Sequence, residues 1–200
     1  MPIDLQFIVT EILKLTLAEP EEIQADAGGL GLGPEYAGFL DRNNMVVAIA
    51  QKFQPAWRRF TLAHEIGHWM LHPGLVYMRE HPLMGGERSD KNRPVQEQEA
   101  DLFAAELLMP SKYLTRVFQD TFGGRVDGRT PSDALAYSLS VGTNQTISPR
   151  DLISRGIRYR SLLIAETNFY DQRQFCPLAE HFRVSPTAMA IQLEDLGLVK

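Results

Sequence analysis

Apolar residues recur along the first segment at Ile3, Phe7, Ile8, Ile12, Leu15 and Leu17. That spacing predicts a helix over 3–18, closed by Pro20. Two short apolar runs, YAGFL and MVVAIA, then flank an Asp-Arg-Asn-Asn stretch, which predicts a β-hairpin. Residues 58–72, RRFTLAHEIGHWMLH, read as a helix terminated by Pro73-Gly74. Residues 95–109, VQEQEADLFAAELLM, read as a second helix stopped by Pro110, and Ser111 can cap a third, SKYLTRVFQ. Between the first two of these, residues 73–94 carry several Pro and Gly residues and the polar run GGERSDKNRP. They read as a long connection, a length that compact domains reserve for functional loops. Residues 123–149, rich in Gly, Ser, Thr and Asn, read as mostly loop with a short helix at ALAYSL, and residues 150–168 carry no decisive pattern. The last segment, PLAEHFRVSPTAMAIQLEDLGLV, reads as helix, turn, helix. The glycine-rich AGGLGLGP at 27–34 contains neither a GK[ST] nor a GxGxxG pattern and is expected to be an ordinary loop or the start of a strand.

Composition narrows the class. With 200 residues, 44% apolar and 22% charged, the chain can bury a real core and is not disordered as a whole. Its net charge of −5 gives no electrostatic grip on nucleic acid or an anionic membrane. The lone cysteine, Cys176, excludes an internal disulfide and suits a reducing compartment. The N-terminus has neither a basic lead nor a small-residue cleavage site, and no apolar run approaches membrane-spanning length. A cytoplasmic protein with no membrane partner is the expectation.

HEIGH at 64–68 adds chemistry. Positions i and i+4 share a helix face, so His64 and His68 can aim two imidazoles at one ion, and Glu65 beside them can act on a water there. Phe60, Leu62, Ile66, Trp69, Met70 and Leu71 supply the apolar surface expected to bury this helix. Gly67 in mid-helix permits another backbone to approach closely, at a cost of about 1 kcal/mol against Ala. A third protein ligand is needed. The second helix offers Glu97, Glu99, Asp101 and Glu106, and spacing alone does not choose among them.

RRFTLAHEIGHWMLH followed by EQEADLFAAELLMP resembles the ImmA/IrrE family of bacterial metallopeptidases. The clear resemblance covers residues 27–115. It implies a zincin-like fold, Zn²⁺ as the metal, and the glutamate directly before the Ala-Asp pair, Glu99, as third ligand. Related enzymes with a glutamate ligand often carry an Asp four residues later that orients a histidine. Counted from Glu99, that position is Phe103, which leaves Asp101, Glu106 or a loop acid for this part. The family's leucine-histidine end draws attention to His72, although an imidazole at a helix C-terminus also suits the helix dipole. Tyr77, His81 and Tyr113 are candidate donors to an oxyanion. The resemblance also implies a DNA-binding repressor as protein substrate.

These readings combine into an α+β, mostly helical fold: a minimal zincin with a small sheet, plus a helix-turn-helix-like C-terminal region. The expected divisions are a metallopeptidase domain over 1–120, a loop-rich and helical connection over 121–175, and the C-terminal segment over 176–200. His64, His68 and Glu99 would hold Zn²⁺, with Mn²⁺ or Fe²⁺ also compatible with such ligands. Glu65 would be the general base. By analogy with other zincins, substrate would add as a strand near residues 45–50. In the C-terminal motif Ser185-Pro186 start a helix that offers only Gln192 to read a base, so direct DNA binding is disfavoured. Two other readings are a DNA-binding regulator with a structural metal and an antitoxin-like interaction protein without turnover.

Overall fold

The computed structural model describes residues 3–18, 37–75, 77–80, 93–127 and 132–200. The glycine-rich segment at 27–34, Pro20, His81 and most of the connection before the second helix lie outside the described residues. The chain divides into two compact units, Met1–Leu108 and Met109–Lys200.

The first unit begins with one turn of α-helix, α1 (Leu5–Phe7), capped by the Asp4 carboxylate and running into a π-helical stretch, Ile8–Ile12. The helix predicted to reach residue 18 stops early. Lys14 turns into the left-handed region at φ 57°, and the Thr16 amide leaves the helical register to donate to the Met45 carbonyl at 2.8 Å. Strand β1 (Thr16–Ala18) results. The predicted hairpin forms from β2 (Gly38–Asp41) and β3 (Val46–Ile49), paired antiparallel. The buried Asp41 carboxylate organises its turn, accepting from the Asn43 and Asn44 amides at 2.9 and 3.1 Å. Strand β4 (Tyr77–Glu80) pairs antiparallel with β2, inside the segment read as a connection. Nothing in YMRE announces a strand, so its pairing is supplied by the partner rather than by its own pattern.

The strand order is β1-β3-β2-β4. β3 therefore has neighbours on both sides and cannot accept the substrate strand expected near 45–50. Helix α2 (Pro55–Leu71) packs against β2 and β3, and helix α3 (Val95–Leu108) packs against α2. Phe39, Leu40, Val47, Ala48, Ile66, Ala100 and Ala104 are buried in this unit.

The second unit is helical: α4 (Ser111–Phe122), α5 (Asp133–Thr143), α6 (Pro149–Ser154), α7 (Gly156–Glu166), α8 (Leu178–Phe182) and α9 (Pro186–Asp195). The third helix expected from sequence begins at Ser111 itself, and the residue before it is Pro110, which makes no side-chain cap. The short helix expected at ALAYSL forms within the longer α5, fixed by Ser132 accepting from the Leu135 amide and by Asn144 in the left-handed conformation. Gly142 lies so close to the start of strand β5 (Phe169–Tyr170) that an added Cβ would collide with the Thr167 hydroxyl and approach the Phe169 amide at 2.9 Å. The terminal pair of helices is as predicted. Ser185 caps α9, with Pro186 in the first turn, and the Val184 amide closes onto the Ala179 carbonyl at 2.9 Å. α8 and α9 pack on α7 within this unit. The protein is thus α+β and mostly helical, with a small mixed sheet.

Candidate metal centre

Helix α2 buries a polar face. Thr61, Ala63, His64, Glu65, Ile66, Gly67 and His68 are buried, while Met70 and Leu71 are 55% and 47% exposed. Of the apolar residues expected to bury the helix, Ile66 alone is fully inside. Buried imidazoles and carboxylates need partners to offset lost hydration, and α3 supplies them. Its approach depends on small residues: a Cβ on Gly67 would stand 3.1 Å from the Ala100 Cα and 3.2 Å from its carbonyl oxygen. Gly67 is therefore a close-packing position.

His64 and His68 turn their Nε2 atoms toward each other, 2.9 Å apart. The Glu97 carboxylate faces both, with Oε2 3.2 Å from His64 Nε2 and Oε1 3.4 Å from His68 Nε2. These three residues form a cluster able to hold a metal ion, each offering one ligand atom, all within 4.8 Å. A tetrahedral ion with ligands at about 2.0–2.1 Å separates them by roughly 3.3 Å, so the spacing and the N₂O donor set fit zinc.

The surrounding groups orient these three. His64 Nδ1 lies 2.9 Å from Asp101 Oδ1. An ionised carboxylate only accepts, so Nδ1 carries the proton and Nε2 keeps the lone pair facing the centre. Arg93 reaches two of the acids of α3, donating to Asp101 and, at 3.2 Å, to Glu97. The far side is held by Arg42. Its Nη2 meets the carbonyls of His68 and Trp69, both at 2.7 Å, and of His72 at 3.1 Å, and its Nε meets that of Leu75 at 2.8 Å. These include carbonyls that the end of α2 leaves without helical partners. The guanidinium also stacks over Trp69, 4.4 Å from the ring centre, and burial lowers its pKa.

Glu65 is 1% exposed. Its carboxylate occupies the space a side chain would fill at Gly38: a Cβ there would fall 2.6 Å from Oε1. The first residue of β2 is thus cut back to glycine where the buried acid passes.

The cluster in the structure differs from the site expected from sequence at one position. The geometry gathers His64 and His68 with Glu97, not with Glu99. Glu99 lies two residues along α3, about 200° around the helix; its side chain is 52% exposed and its carboxylate meets His72 Nε2 at 2.9 Å. Asp101 stands against His64, as a second-layer acid would, and His72 stands against His68, with Nδ1 atoms 3.0 Å apart. Glu106 is exposed. Tyr77 is in β4 opposite Asp41, its side chain outside the described residues. Tyr113 belongs to the second unit, its hydroxyl 3.1 Å from His181 Nε2. Arg59 ties α2 to the N-terminal segment through the Ile3 carbonyl at 2.8 Å. The exposed Cys176 has its thiol pKa raised by desolvation and by Glu180, opposite to what an activated nucleophile requires. Arg93, Arg42 and Gly38 are the site residues that sequence reading missed, and Glu97 was among the candidate acids without being chosen. For Glu97 a signal existed: Asp101 is four residues later.

A family model described as the IrrE N-terminal-like domain, a peptidase family, matches residues 30–146. That is more than half of the chain, which therefore belongs to this metallopeptidase-type family. Over 80 residues the chain is also 35% identical to a protein of Bacillus phage phi105 named uncharacterized immunity region protein 2. The match covers 38% of this chain and 46% of the phage protein, so the chain spans about half the length of that curated relative. Among the described residues no helix is long and apolar enough to cross a membrane.

Proposed function

We propose that the protein is a zinc-dependent endopeptidase in which His64, His68 and Glu97 hold the ion and Glu65 is the general base. The convergence of His64 Nε2, His68 Nε2 and the Glu97 carboxylate on one point carries this reading. When bound, zinc supplies Lewis acidity toward a peptide carbonyl and toward water. Asp101 fixes His64 in the tautomer with its Nε2 lone pair inward. Glu65 takes a proton from the attacking water and returns it to the leaving amine; its burial keeps that transfer away from bulk solvent. A substrate strand would align along β4, the outer neighbour of β2 among the described strands.

The substrate we favour is a helix-turn-helix repressor. The phage relative's name refers to an immunity region, which favours a role in mobile-element control. A catalytic rather than DNA-binding role is further supported by α9, where Gln192, the side chain best suited to read a base, is only 6% exposed.

The test is to incubate the zinc-loaded protein with a co-expressed helix-turn-helix repressor and look for new termini by mass spectrometry. Wild type should cut and Glu65→Gln should bind zinc without cutting. Equal cutting by both, or zinc-loaded wild type leaving every repressor tried intact, would overturn the proposal in favour of a non-catalytic regulator.

A further inference from the structure

The two inward-facing histidines are supported differently. His64 has a carboxylate directly on its outer nitrogen. His68 has an imidazole there: its Nδ1 is 3.0 Å from His72 Nδ1, and His72 Nε2 is 2.9 Å from Glu99 Oε2. We propose that Glu99 and His72 form a positioning relay that sets the tautomer of His68, a proposal that rests on the metal-centre reading above.

The Glu99 carboxylate accepts and does not donate, so His72 presents Nε2–H to it. A neutral imidazole carries one ring proton, so His72 Nδ1 is then a lone pair. The two Nδ1 atoms, 3.0 Å apart and outside the proposed ligand set, need one proton between them, and only His68 Nδ1–H can supply it; between the two Nε2 atoms the ion would take the place of a proton. His68 Nε2 is left with its lone pair directed at His64 Nε2 and Glu97. Glu99 thereby acts on the centre without touching it, through two imidazoles.

The backbone holds the relay in register. The His72 amide donates to the His68 carbonyl at 3.0 Å, and Arg42 takes the His72 carbonyl at 3.1 Å. His72 is buried to 9% exposure, so its ring is not a solvent-facing cap. The 52% exposure of the Glu99 side chain leaves the outer end of the relay at the surface.

The test measures zinc affinity of the full chain by competition with a chromophoric chelator, for wild type, Glu99→Gln, His72→Ala and the double variant. A glutamine amide donates as well as accepts, so it no longer dictates the His72 proton. His72→Ala should weaken zinc by about 10- to 100-fold and Glu99→Gln by roughly tenfold. The double variant should bind no more weakly than His72→Ala, because Glu99 acts only through His72. Single variants within about twofold of wild type, or two losses that multiply, would overturn the relay. Should His72→Ala fail to fold, the near-isosteric change at half-exposed Glu99 still decides. Glu97→Gln, measured alongside, separates the two levels. Zinc lost there but undisturbed in the relay variants removes the relay alone. No zinc binding by wild type removes the metal-centre reading and the relay with it.

Discussion

Replacing Gly38 by Ala probes whether the fold was shaped around Glu65. The added Cβ would sit 2.6 Å from Glu65 Oε1, 3.3 Å from its Cδ and 2.7 Å from Thr61 Cγ2. Ordinary carbon contacts begin near 3.4 Å, so the carboxylate must retreat by roughly 1 Å within a packed interior. With the backbone alone considered, Gly→Ala in a strand would stabilise by about 0.4–1 kcal/mol through the unfolded state. Overpacking a buried site costs about 1–3 kcal/mol, so the collision wins and Gly38→Ala should lower the thermal midpoint by several degrees. Part of that cost belongs to Glu65. In a Glu65→Ala background two of the three close contacts disappear, and the penalty should shrink by about 1 kcal/mol, measured by thermal unfolding in a double-mutant cycle. Additivity within about 0.3–0.5 kcal/mol would show that Gly38 and Glu65 do not meet as described.

Arg42→Ala should destabilise by about 1.5–3 kcal/mol, the range for hydrogen bonds to a charged group, and Arg42→Lys should not restore it, since a point cation cannot replace the guanidinium fork that spans these carbonyls; thermal unfolding decides, and full rescue by Lys would contradict the capping role. Asp101→Asn should weaken zinc by about 10- to 100-fold with little change in melting of the metal-free protein, and unchanged affinity by chelator competition would remove Asp101 from the centre. Asp151 has its pKa lowered mainly by its side-chain and backbone hydrogen bonds from Ser148 in the capping box at the start of α6. Because the folded pKa lies below the unfolded one, its contribution is present above the ordinary carboxylate range and is lost as pH falls through the folded value. An NMR titration of the Asp151 carboxyl should show Ser148→Ala raising that pKa toward normal, and an unmoved value would contradict the cause given.

How much of this was legible in the sequence differs from residue to residue. His64 and His68 could be placed together because helical periodicity alone joins i and i+4. The β2–β3 hairpin was legible because Asp41 and the two asparagines mark its turn. β4 was not, because YMRE has no alternation of its own and becomes a strand only where β2 offers hydrogen bonds. The helix end at Lys14 was hidden because the apolar spacing runs on through Leu15 and Leu17, while a left-handed residue and a cross-strand bond decide the backbone. The proposed third ligand shows how a rule depends on its starting point. Counted from Glu99, the fourth residue on is Phe103, which is no acid. Counted from Glu97 it is Asp101, which stands on His64. The buried face of α2 was not legible because apolar periodicity points to the core, whereas the face held inside is the one whose polar groups find partners on α3.

The metal content of wild type, Glu97→Ala and Glu99→Ala, measured by elemental analysis after dialysis against buffered excess zinc, is the most direct test of the centre. About one zinc per chain is expected in wild type and in Glu99→Ala, with Glu97→Ala largely emptied. Zinc retained by Glu97→Ala and lost from Glu99→Ala would contradict the centre described, and a wild type without zinc would contradict the metallopeptidase itself.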